Sequence, residues 1–80
     1  MSGEEQNMRR VSITATGPLG WSDWTEIFHE DDLLLTASGK VLQVRRLKEG
    51  DTLIRFTELQ KFDVQHWIIT KIVYMRRERV

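Results

Sequence analysis

The chain has 80 residues, with 12 Lys and Arg against 12 Asp and Glu, and this zero formal charge argues against a dedicated polyanion binder. A chain this short makes one domain and buries only ~60% of its unfolded surface, so it needs a disulfide, a metal or a partner. Cysteine is absent, which excludes disulfides and thiolate metal sites and leaves oligomerisation or a lasting partner as the expected aid.

Residues 1–8 are polar, carry no apolar signal core and read as a disordered tail; residues 9–80 read as a single small β-rich domain. "RRVSITATG" alternates, with Val11, Ile13 and Ala15 on one side and Ser12, Thr14 and Thr16 on the other, the pattern of a half-buried strand. "GPLG" breaks it: Gly17 frees the backbone, Pro18 fixes φ, and a turn follows. "WSDWTEIF" admits two readings. As a helix, Ser22 is the N-cap and Trp24, Ile27 and Phe28 share a face. As a strand, Trp24 and Phe28 lie with Ser22 and Glu26 on one face, and Trp21 and Ile27 on the other. A strand, a tight turn and an aromatic run together favour the extended reading.

"LLLTASGKVLQV" is the clearest hairpin, with arms at 33–36 and 41–47 and Ser38 and Gly39 at the turn. "KEGD" is the next turn and "TLIRFTEL" the next strand, with Ile54 and Phe56 expected inside. An irregular "QKFD" leads to "VQHWIITKIVYM", whose β-branched residues favour a strand, while a helix burying Ile68, Ile69, Ile72 and Met75 is the competing reading. As a strand it is apolar on both sides: Trp67, Ile69 and Val73 on one, Ile68, Ile72 and Tyr74 on the other. Such a strand is central in a barrel or meets a partner with its second face. Arg76, Arg77 and Arg79 follow as charged guards against aggregation. The fold class is therefore mainly β: a small antiparallel sheet or open barrel of five to six short strands, completed by oligomerisation.

The longest apolar run is interrupted by Lys71 and is too short to span a bilayer, so a soluble protein in the cytoplasm of the producing cell is expected. Nothing supports catalysis: there is no nucleophile elbow, phosphate loop or His-Glu-x-x-His. "HEDD" at 29–32 offers four consecutive residues, which rarely wrap one ion, and reads as a solvated acidic loop. His66 reads as a partly buried strand histidine. No enzyme activity, cofactor or metal is expected.

The charge is split along the chain. Residues 1–39 hold two arginines against seven acids, and residues 40–80 hold ten Lys and Arg against five acids. This can mark a basic nucleic-acid face, or draw two halves of a fold or neighbouring subunits together.

Trp21 and Trp24 stand in "WSDWT", which superficially resembles the tryptophan box of cytokine receptors and the ladder of thrombospondin repeats; both are disulfide-containing contexts, and the missing cysteines discard them. A longer pattern remains. "GPLGWSDWTEIFHEDDLL" resembles a segment of bacteriophage tail-fibre proteins, in which a Gly-rich turn leads to Trp-x-x-Trp, an aliphatic, an aromatic and His. Gly20, Trp21, Trp24, Ile27, Phe28 and His29 match that order, whereas "EDD" departs from the small polar turn of the family. The resemblance covers about a quarter of the chain. It implies a trimeric, β-rich virion or tail-associated protein acting by protein or surface contacts, with no catalytic residues.

Three functions follow as expectations. The first is a non-catalytic structural or binding module, partnered by itself or by another protein, with Trp21, Trp24, Phe28, Trp67 and Tyr74 as interface candidates. The second is a small nucleic-acid-binding barrel using Arg45, Arg46, Arg55, Arg76 and Arg77. The third is an inhibitor or adaptor docking Asp23, Glu26, Glu30, Asp31 and Asp32 on a basic partner.

Overall fold

The computed structural model describes residues 9–56 and 64–76. The expected tail at 1–8, the "QKFD" piece and Arg77 lie outside the described residues. The described residues form six strands: β1 (Arg10–Thr16), β2 (Trp24–His29), β3 (Leu33–Leu35), β4 (Val41–Gln43), β5 (Thr52–Phe56) and β6 (Val64–Tyr74). β2, β1, β6 and β5 form, in that order, an antiparallel sheet curled into a half-barrel, and β3 with β4 makes a small hairpin beside it. Neither helical alternative, at 22–30 or 66–76, forms: β2 and β6 occupy these segments as Trp24–His29 and Val64–Tyr74.

The alternation in β1 sets the inside. Val11, Ile13 and Ala15 are fully buried on the concave face, and β5 and β6 add Leu53, Trp67 and Ile69. Apolar residues two apart on a pleated strand share one face, so β1 alone defines which side each paired residue takes. A β-bulge then changes the reading of β6. Thr14 pairs with Lys71 and Ala15 with Ile69, which leaves Thr70 unpaired. One extra residue shifts the alternation by one. Ile72 and Tyr74 therefore join Ile69 on the concave side, opposite Ile13 and Val11, while Val73 turns outward. The two-sided apolar pattern of this segment is in part a one-sided pattern with a phase shift.

β5 corrects a second expectation. Leu53 is its buried residue and pairs with Trp67, whereas Ile54 is only half-buried and Phe56 is exposed. Both alternations are apolar in "TLIRF", so the strand itself does not show its inner side; the register with Trp67 decides. The second hairpin arm is also shorter than 41–47. After Gln43 the chain enters a 3₁₀ turn at Val44–Arg46. There the amides of Val44 and Arg45 donate to the carbonyls of Asp32 and Glu30, at 2.8 and 2.9 Å, instead of continuing a ladder. This turn drops Val44 and Leu47 into the core. The hairpin is tied to β5 by the Ala37 amide, which donates to the Thr52 carbonyl at 2.9 Å.

Two glycines carry distinct burdens. Gly39 closes the β3–β4 turn at φ +86°, a conformation L side chains rarely adopt. Gly17 has no such torsion. It is needed because the Trp67 ring lies directly against it: a Cβ at residue 17 would sit 2.5–2.7 Å from three ring carbons. The reason for Gly17 is close approach, not backbone freedom.

Candidate functional site

The turn after β1 is held by the Trp21 amide, which donates to the Pro18 carbonyl at 3.0 Å, with Gly20 at φ +88°. Trp21 thus precedes β2 and is not on the face opposite Trp24, as strand parity through residue 21 predicts. Its ring turns in and meets Trp67 edge-on, centroids 6.3 Å apart. Trp24 meets Trp67 at 6.1 Å and Phe28 at 5.9 Å, both edge-to-face. These separations lie in the range where aromatic quadrupoles attract. Small Ala15, paired with both Trp24 and Ile69, leaves room for this cluster at the centre of the concave face.

The cluster lines one end of an opening in the half-barrel. A cavity of about 200 Å³ lies between β2 and β5, walled by Trp24, Glu26, Phe28, Leu34, Leu53 and Arg55 among others. Arg55 reaches across it, its guanidinium 4.1 Å from the Trp24 centroid and 5.8 Å from that of Trp67. The exposed ring face is therefore already stacked by the chain's own cation. Trp24 Nε1 donates to Glu26 Oε1 at 3.3 Å, and Trp67 Nε1 donates to Gln65 Oε1 at 3.1 Å. Four of the five aromatic interface candidates are thus brought together, but Trp67 is buried, Trp24 and Phe28 are half-buried, and only Trp21 is exposed. Tyr74 stands apart, exposed at the other end of β6, with the Arg9 guanidinium 5.7 Å from its ring centroid.

The basic candidates do not assemble as one group. Arg45 pairs with Asp31 and reaches Glu30 at 3.9 Å. Arg55 is stacked in the cleft, while Arg46 and Arg76 are exposed. The acidic segment is mostly a structural turn. Asp32 accepts the His29 amide at 2.9 Å on its side chain, and Glu30 and Asp31 face Arg45. Asp23 is exposed in the loop before β2. Among the described residues, no group of three or more His, Asp or Glu is placed to hold a metal ion.

The convex face carries apolar residues that the sequence marked only in part, at Ile68. Register places Ile27, Ser12 and Val73 in one outward row across β2, β1 and β6, and Thr25, Thr14 and Lys71 in the next. Ile68 lies between Thr16 and Thr52, Ile54 pairs with His66, and Phe56 with Val64. Ile27, Phe56, Val64, Ile68 and Val73 are all exposed, Phe56 to 60%. His66 is exposed here too, rather than partly buried. Such faces are normally polar when solvated. The signal was present in sequence as outward-phase apolar residues, but the bulge at Thr70 and the ambiguous phase of β5 hid it.

Comparison with family models, curated proteins and solved structures gives no match to this chain.

Proposed function

We propose that the chain is a non-catalytic binding module that works through protein contacts made by the convex face of its sheet. One observation carries this reading: five large apolar side chains, Ile27, Phe56, Val64, Ile68 and Val73, stand exposed on that face of one sheet. Each buried methylene contributes about 0.8 kcal/mol, so a folded protein that leaves such a face in water forgoes stabilisation that a partner restores. Glu30, Asp31 and Asp32 each contact groups of the same chain, which favours the convex face over the acidic segment as the contact surface. A virion or tail-associated setting rests on the order of residues at 17–32, where a turn with Gly20 leads into β2 carrying Trp24, Ile27, Phe28 and His29.

The paired substitution Ile27→Ser and Ile68→Ser tests the reading. Both side chains are about half exposed, so the thermal midpoint should hardly move. Protein association should be lost, measured by sedimentation for self-association and by quantitative cross-linking in the producing cell for other partners. Association that survives in the double variant refutes the convex face as the contact surface.

A further inference from the structure

Among the described strand residues, the charges on the convex face have one sign. Its described outward strand residues include the cations Arg10 and Lys71, and none of them is Asp or Glu. The acids of this region lie elsewhere: Glu26 on the concave side of β2, opposite Ile13, and Glu30, Asp31 and Asp32 in the turn beyond it. Lys71 is central. It stands on β6, an inner strand of the sheet, in the row of Thr14 and Thr25, whose hydroxyls bond each other at 3.0 Å. Exposed Ile68 and Val73 lie near it along the same strand.

We infer that the partner of this face is another protein whose contact segment combines aliphatic side chains with carboxylates; this rests on the protein-contact reading above. An aliphatic surface recovers the area of Ile27, Ile68 and Val73, and a carboxylate meets Lys71 as that area is covered. A buried cation without a partner is costly, so the charge must be matched when the surrounding apolar surface is sealed. A second copy docked by the same face fails this condition. Its described strand residues on that face include Lys71 and no Asp or Glu. Single-stranded nucleic acid matches the sign but not the surface. Bases stack on flat rings, and this face offers β-branched side chains with one aromatic, Phe56. Complementary charge of this kind sets partner choice and encounter rate more than total affinity.

The experiment begins with selection from a random-peptide library on the immobilised full chain. The enriched peptide is then titrated into labelled protein by NMR, beside a thymidine oligonucleotide and vesicles of phosphatidylcholine with phosphatidylserine. The expected result is enrichment of aliphatic and acidic residues together, with shifts at Ile27, Ile68 and Val73. Lys71→Glu should then weaken binding by about tenfold or more. Lys48→Glu, the same charge change in the turn before β5, should leave binding unchanged. Peptides that bind this face without carboxylate enrichment, or equally to Lys71→Glu, overturn the acidic-partner inference while leaving a protein-contact module intact. Self-association that shields Ile68 does the same. No peptide binding at this face, with or without binding of the oligonucleotide or vesicles, overturns the inference and the module reading together.

Discussion

Gly17 has ordinary backbone torsions, yet a single methyl group there meets the Trp67 ring at 2.5–2.7 Å. The ring has little room to retreat. It is 3% exposed, paired opposite Leu53, and flanked edge-on by Trp21 and Trp24. Overpacking of this kind costs about 1–3 kcal/mol. Replacing glycine by alanine returns about 0.4–1 kcal/mol by restricting the unfolded chain. The net expectation for Gly17→Ala is a loss of about 1–2 kcal/mol, which lowers the melting temperature of a domain this size by roughly 4–16 °C. The assay is urea and thermal unfolding followed by tryptophan fluorescence, in a double-mutant cycle with Trp67→Phe. Phenylalanine lacks the outer ring carbons that the methyl group meets, so Gly17→Ala should cost little in that background. Equal losses in both backgrounds would refute close approach as the reason for glycine at this position. Gly20→Ala is the contrasting control: its Cβ meets nothing, so its loss comes from φ +88° alone and is independent of Trp67.

Further expectations concern the phase of the strands and the charges that brace them. Leu53→Ala should cost about 2–5 kcal/mol, because the side chain is buried. Phe56→Ala, on the opposite face, should stay within about 0.5 kcal/mol by urea unfolding; a reversed ranking would show that β5 faces the other way. Deleting Thr70 should leave unfolding cooperative, since Ile69 and Ile72 then stand two apart and keep the concave face without a bulge, and loss of the transition would remove the bulge as the register device. Arg55→Met should cost about 0.5–2 kcal/mol and change the tryptophan emission, because the guanidinium stacks 4.1 Å from the Trp24 centroid. Arg45→Ala should cost only about 0.2–1 kcal/mol, because the Arg45 side chain is 46% exposed, and the loss should shrink in high salt.

The limits of legibility follow from particular residues. Clean alternation of Val11, Ile13 and Ala15 with Ser and Thr made β1 readable, because only one phase buries apolar surface. Gly39 and Gly50 marked turns, as residues that take positive φ without strain. β5 was read in the wrong phase because Leu53, Ile54 and Phe56 make both of its faces apolar. The site was harder to read than the fold. Aromatic content pointed to Trp24, Phe28 and Trp67 as contact residues, yet these rings pack on one another. The sequence shows a second apolar face on β6 but assigns it Ile68, Ile72 and Tyr74, and only the register joins Ile27, Phe56, Val64 and Val73 to Ile68.

Composition and local pattern thus determined that this chain is mainly β, that its strands are short and antiparallel, and that cysteine chemistry plays no part. Those properties arise from neighbours in sequence: alternation, β-branching, turn residues and a missing residue type. Tertiary structure alone decided which face each ambiguous strand presents. A strand's inner side is set by the register of its partners, and one unpaired residue, Thr70, reverses it for everything that follows. The same pairing placed Trp67 against Gly17 and Arg55 over Trp24, and it gathered Ile27, Ile68, Val73 and Lys71 on one outward surface.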